Sequence, residues 1–346
     1  MMRVLVTGSS GLIGSEAVVF FDRLKFHVVG VDNNMRADFF GPKGDTTANR
    51  DRLQATCRHF EHHNLDIRDR QAIDLLFAAG KFDLIIHAAA QPSHDLAALR
   101  PLDDFDVNAV GTLNLLEATR RHCPDAVFVY VSTNKVYGDG PNRIALKEFE
   151  TRWDYADARY EQGIAEDFPV DQCLHSLFGV SKLAGDVMAQ EYGRYFGLKT
   201  GIFRGGCLTG PQHAGVELHG FLNYLVMTAV REGPYTIFGY KGKQVRDQIH
   251  SHDVISAFWE FAQNPRPGAV YNLGGGKQNA ASLLECVELI CQITGKRPKL
   301  TYSDTNRIGD HICYYTDLRK FQRDYPGWQI MYDLPQIVEQ IAQFAA

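Results

Sequence analysis

The chain has 346 residues, is 45% hydrophobic and 22% charged, and so is long and apolar enough for a sizeable core in one large or two fused domains. Its formal net charge of −5 argues against nucleic acid or an anionic membrane as the main partner, because both reward a basic surface. The seven cysteines are scattered, with no C-x-x-C pair, which predicts reduced thiols, no metal site and a cytoplasmic location.

The sequence enters a strand-like run, Met2-Arg3-Val4-Leu5-Val6, at once, so no leader is expected. No apolar run approaches the roughly 20 residues that a bilayer span needs. Short apolar runs then alternate with helical patterns. Strands are predicted at 3–6, 27–31, 84–87 and 126–132, and helices at 14–25, 71–79, 107–122 and 180–196. Runs this short and unbroken suit buried parallel strands, and the βαβα rhythm implies an α/β fold with a Rossmann-type, doubly wound parallel sheet. Residues 139–173 interrupt the rhythm with a polar, aromatic-rich stretch. Beyond about residue 204 the pattern is mixed, with turns at Gly210-Pro211 and Gly233-Pro234. The expected division is a dinucleotide-binding domain over 1–203, rejoined by about 250–275, and a smaller C-terminal substrate-binding α/β lobe over 204–346.

Thr7-Gly8-Ser9-Ser10-Gly11-Leu12-Ile13-Gly14 lies between the first strand and the first helix. Gly8, Gly11 and Gly14 let backbone approach a pyrophosphate, which then sits against the helix start at Leu12 and Ile13. Alone, such a stretch is also what a tight turn looks like. Asp32 strengthens the reading, because an acid at the end of the second strand accepts hydrogen bonds from an adenosine ribose and repels a 2′-phosphate. That favours NAD over NADP, although Arg36 would suit a phosphate; a solvated strand-end acid is the plain alternative for Asp32. Asn33 follows it, and Asp66-Ile67 supplies a second acid placed to meet the adenine.

The G-x-x-G-x-x-G spacing resembles the extended short-chain dehydrogenases/reductases, also called NAD-dependent epimerases/dehydratases. Further segments match that family in order over nearly the whole chain. They are His87-Ala88-Ala89-Ala90, Asn108, Ser132-Thr133-Asn134-Lys135-Val136-Tyr137-Gly138, the run ending in Lys182, Arg246-Asp247-Gln248-Ile249-His250 and Asn272-Leu273-Gly274-Gly275. Within the family the chain is most similar to the CDP-paratose (CDP-tyvelose) 2-epimerases. Asp32-Asn33-Asn34-Met35-Arg36, Gln91-Pro92-Ser93-His94-Asp95, the Thr-Asn-Lys core and Gly242-Lys243-Gln244-Val245-Arg246-Asp247 carry that likeness. Related 4,6-dehydratases have an acidic pair where this chain has Asn134 and Lys135.

The resemblance implies a transient redox cycle with bound NAD: a sugar hydroxyl is oxidised, the keto-sugar turns, and the hydride returns to the other face. Ala88, Ala89, Ala90 and Asn108 would line the cofactor, and Lys182 would serve both cofactor and catalysis. Thr133 would orient the reacting oxygen. The family's tyrosine base, four residues before Lys182, is replaced by Phe178. A phenyl ring has no proton to exchange, so three readings stay open: a branch with another base, a variant that traps ligand, or a binding protein without turnover. Cys207, Lys135 and Lys182 itself are candidate substitute bases.

The implied substrate is a nucleotide sugar, CDP-linked in preference, with a UDP- or GDP-sugar 4-epimerase as the rival. Arg246 and Arg307 resemble positions that reach the diphosphate, where arginine forks suit the oxygens. Ser93, His94, Asn134, Lys135, Cys207 and Gln212 are further substrate-site candidates, and His213 is as plausibly a solvated loop residue. The aromatic segment 150–163 is expected to be a lid or an oligomer contact. Helices 107–122 and 181–196 would, by family resemblance, form the interface of a homodimer or homotetramer.

Overall fold

The computed structural model describes residues 1–212, 220–305 and 309–345. The four predicted strands are present as β1 (Arg3–Thr7), β2 (His27–Val31), β4 (Leu84–His87) and β5 (Val127–Thr133), and β3 (Phe60–His63), β6 (Lys199–Gly205) and β7 (Ala269–Leu273) join them. They form one sheet in the order β7-β6-β5-β4-β1-β2-β3. The pairs from β3 across to β5 are parallel. The polar sequence of β3 fits its edge position, where none of its residues is fully buried, whereas all of β4 is.

The helices that bear on the site are α1 (Leu12–Arg23), α2 (Arg70–Gly80), α3 (His94–Leu99), α4 (Pro101–Phe105), α5 (Gly111–His122) and α6 (Leu177–Phe196); Met35–Phe40 and Thr47–Thr56 are helical as well. The helix expected over 107–122 is α5 preceded by a wider π turn, Asp106–Val110. Leu5, Val29, Ile85 and Phe128 of the sheet pack with Ile73 and Phe77 of α2, Leu115 and Leu116 of α5 and Ala189 of α6. Strand order reverses between β1 and β4, and ligands of such sheets bind at that point, beyond the strands' carboxyl ends.

The chain divides into two units. The first comprises Met1–Val136, Leu177–Arg204 and Val254–Tyr271, and the second Tyr137–Ser176, Gly205–Asp253 and Asn272–Ala346. The stretch Tyr137–Ser176, which the sequence reading kept in the N-terminal domain, thus groups with the second unit. In that unit Val245–His250 pairs with Ala280–Ser282, Cys313–Tyr314 and Cys207–Thr209. Segment 150–163 contains half of a hairpin, Leu146–Glu148 with Trp153–Tyr155. It is packed down: Tyr155 Oη donates to Cys313 O at 2.9 Å and Tyr315 Oη to Asp154 Oδ1 at 2.9 Å.

Candidate active site

The glycine turn has the shape its sequence predicts. Gly8 has φ +68°, a left-handed conformation that costs glycine little. A Cβ at Gly14 would collide with the carbonyl of Gly8, so only glycine lets α1 start so close to β1. At Gly11 a Cβ would meet only Gly8 O, at 3.4 Å, so there is more room there than at Gly14. The first-turn N–H groups of α1 have no acceptors within the helix, which leaves them to a ligand or to water. The hydroxyls of Ser9 and Ser10 are buried there without a partner in the protein.

Asp32 closes the other side. Its carboxylate accepts Ser10 N–H at 2.9 Å and Asn34 N–H at 2.8 Å, and it borders a cleft also lined by Asn33, Asn34, Thr46, Arg50 and Asn64. Asn34, at φ +57°, ties this loop to Asp45 and Thr46. Asn33 donates to Asp66 at 3.2 Å, and Asp66 is also paired with Arg68 at 2.7 Å. The Arg36 guanidinium lies over the Phe40 ring at 4.6 Å, and its burial lowers its pKa to about 10. Backbone donors, a carboxylate and orphaned hydroxyls together suit a dinucleotide.

After β4 the chain is pinned rather than loose. His87 bridges Thr7 Oγ1 at 2.8 Å and Thr112 Oγ1 at 2.9 Å, and burial holds its ring neutral, with its pKa well below the usual histidine range. Ala88 N donates to Thr7 O, and Ala89 N to Thr7 Oγ1. Asn108, in the π turn, exchanges hydrogen bonds with the backbone of Gln91 at 3.0 Å each way, and donates to Asp104 and to Ser181 Oγ at 3.1 Å each. Gln91 in turn holds Ser93 N, Ser93 O and Asp104. Ser93 caps α3. Asn108 is therefore committed to protein partners, and its web fixes the 91–94 turn against α6. A π turn at such a point is common near functional sites.

Phe178 and Lys182 share one face of α6, four residues apart. The Phe178 ring is buried and meets the His94 ring edge-on, with centroids 5.1 Å apart and planes at 69°. Lys182 Nζ donates to Val131 O at 2.7 Å and lies 4.3 Å over the Tyr130 ring. Desolvation pushes its pKa down to about 7, against the pull of Asp186 and Asp104. Gly185 makes the close approach possible, since a Cβ there would strike Tyr130 Oη. One turn on, buried Asp186 accepts Ser132 Oγ at 2.6 Å, Gln190 Nε2 at 2.6 Å and two Arg204 nitrogens at 3.0 Å. Sequence reasoning missed this ion pair; an acid in an otherwise small and apolar stretch of α6 was the available signal.

Thr133 ends β5 half-buried, and its Oγ1 accepts Lys135 N–H at 3.2 Å. Asn134 is buried and Lys135 half-buried beside it. In the second unit Arg246 is buried on its strand, with Nη2 on Asp310 at 2.9 Å and Nη1 on Val245 O at 2.7 Å. Cys207 stands in register with Gln248, and Gln212 is half-buried in the following turn. Arg307 and His213 lie outside the described residues. All seven cysteines are free, and among the described residues no group of three His, Cys, Asp or Glu could hold a metal ion. No described helix is long and apolar enough to cross a membrane.

Residues 4–274 match the NAD dependent epimerase/dehydratase family. The chain belongs to that family. A CDP-paratose 2-epimerase from Salmonella typhi is 32% identical over 333 residues, which cover 92% of each chain. A dTDP-glucose 4,6-dehydratase from Haemophilus influenzae is 29% identical over 96% of this chain and 90% of its own. Among solved structures, a tyrosine-to-phenylalanine mutant of UDP-glucuronic acid 4-epimerase from Bacillus cereus, in complex with a UDP-4-deoxy-4-fluoro-glucuronic acid and NAD, is similar over 99% of both chains, with TM-score 0.79 and 25% identity. This family of enzymes acts on nucleotide sugars, and its cofactor, NAD, is the cofactor of this chain. Bound NAD supplies a reversible hydride acceptor.

Proposed function

We propose that the chain epimerises C2 of a CDP-linked sugar through a transient keto-sugar, with NAD regenerated in each cycle. The observation that carries epimerisation over water loss is the segment after β5. Where related dehydratases have an acidic pair, this chain has a buried amide, Asn134, and a cation, Lys135. An amide has no proton to give a departing hydroxyl, and a lysine ammonium is a far weaker acid than a carboxylic acid. The preference for C2 and for cytosine rests on the relative from Salmonella typhi.

In this reading residues 1–203, with a return at about 250–275, bind NAD, and 204–346 hold the sugar nucleotide. Gly8, Gly11 and Gly14 seat the pyrophosphate, and Asp32 takes the ribose. Thr133 holds the reacting oxygen at the end of β5. Arg246, already buried and aligned by Asp310, offers its guanidinium to the diphosphate. Phe178 favours a second reading, a protein that binds NAD and nucleotide sugar without turnover.

The test is incubation with CDP-, UDP- and GDP-linked sugars, followed by NMR of the products and thermal shift with each nucleotide. The expected result is inversion at C2 of a CDP-sugar and the largest stabilisation by CDP. Inversion at C4 of a UDP- or GDP-sugar moves the assignment to the 4-epimerases. Binding with no product supports the second reading.

A further inference from the structure

We propose that His94 is the acid–base group of this site, in the role that a tyrosine has in relatives. The inference rests on the epimerase reading above. Phe178 leaves the usual position without a proton, and the side chain whose ring meets that phenyl edge is His94, at 5.1 Å between centroids. An imidazole is the side chain that ordinarily exchanges protons near neutral pH, with a nitrogen to accept and, once charged, two to donate.

Its placement is built rather than incidental. His94 opens α3 directly after Ser93, whose backbone N and O are both held by the Gln91 side chain. Gln91 is locked by Asn108, and Asn108 reaches across to Ser181, one residue before Lys182. One buried web therefore fixes the turn that carries His94 and the helix that carries Phe178 and Lys182 in the same register. His94 is half-buried, so it keeps surface that a ligand can reach. Lys182 is only 4% exposed and is drawn back onto Val131 O and the Tyr130 ring, which suits it to set the local field.

The step balances as follows. The sugar's carbinol carbon gives its hydride to NAD⁺ while the hydroxyl proton passes to a His94 nitrogen, leaving a ketone and an imidazolium. After the ketone turns, the hydride returns to the opposite face of the carbon and the imidazolium gives its proton back to the oxygen. The epimer is the only net change.

The experiment compares the parent with His94→Gln, His94→Ala, Phe178→Tyr and the double variant His94→Ala/Phe178→Tyr. Turnover is followed by NMR, nucleotide-sugar affinity by calorimetry, and hydride uptake by the near-ultraviolet absorbance of reduced nicotinamide. His94→Ala should lose about 10²–10⁴-fold in kcat, the usual worth of general acid–base catalysis, with a far smaller change in affinity. Added imidazole should restore its turnover and hydride uptake, and so should Phe178→Tyr in the same chain. Parent-like turnover by His94→Gln overturns the assignment. So does a loss that neither imidazole nor Phe178→Tyr repairs, because that marks a structural role. An inert parent that Phe178→Tyr alone activates overturns His94 but leaves the epimerase reading standing. If parent and Phe178→Tyr are both inert towards every nucleotide sugar, the epimerase reading falls and the assignment falls with it.

Discussion

Replacing Lys182 by Met should make the fold more stable, and by an amount that depends on pH. Lys182 is a buried cation whose pKa falls from 10.5 in the unfolded chain to about 7 in the folded one. At about 1.4 kcal/mol per unit, that shift of roughly 3–4 units is a burden of up to about 5 kcal/mol. The folded state holds the proton less tightly than the unfolded chain does. The burden is therefore fully present below about pH 7, and it fades as pH rises towards 10.5. Met removes it but forfeits the hydrogen bond to Val131 O and the contact with Tyr130, together worth on the order of 2 kcal/mol. The net expectation is a gain of about 2–3 kcal/mol near pH 6.5, shrinking by roughly 1 kcal/mol or more per pH unit between pH 7 and 9. Urea unfolding of nucleotide-free protein, followed by tryptophan fluorescence, measures it. A variant that is no more stable than the parent near pH 6.5, with a difference flat in pH, would refute the account of Lys182 as a burdened cation.

Asp186→Ala should cost about 3–5 kcal/mol, because it breaks a buried ion pair with Arg204; Asp186→Leu with Arg204→Met should recover most of that loss in the same unfolding assay. Gly11→Ala and Gly14→Ala should both lose the NAD(H) released from the purified protein on denaturation. Compared without nucleotide, only Gly14→Ala should also lower the melting temperature, since its Cβ collides with the Gly8 carbonyl while that of Gly11 meets only Gly8 O at 3.4 Å. A Gly11→Ala protein that keeps its nucleotide would move the pyrophosphate elsewhere.

The glycine turn was legible because its signals are local. The Gly8-to-Gly14 turn and Asp32 lie within a single βαβ unit, and backbone geometry there dictates residue type almost one by one. The strands were legible because burial on both faces leaves runs such as Leu84-Ile85-Ile86 with no polar member. The contacts of α6 were not. Ser132 meets Asp186 across 54 positions and Asn108 meets Ser181 across 73, and periodicity says which face of a helix is buried but not which residue stands opposite. Asn108 ties Gln91, Asp104 and Ser181 together, and no local pattern announces partners so far apart in the chain. His94 was read as one substrate contact among several, because nothing in the spacing from 94 to 178 announces that the two rings touch. The hairpin in 146–155 escaped notice because each arm is three residues long.

The way the chain passes between its two units limits how such a protein can change. It leaves the first unit after Val136, returns at Leu177, leaves again after Arg204, returns at Val254 and leaves for good after Tyr271. No contiguous fragment holds either unit. A chain cut after Arg204 would lack β7 and turn β6 into an unpaired sheet edge, the kind of surface that recruits other strands. Exchanging the second unit for that of a relative therefore cannot be done in one crossover; it needs several splices, each keeping register with the sheet. New sugar specificity on this scaffold is more readily reached by substitutions at single positions, with the sheet left whole.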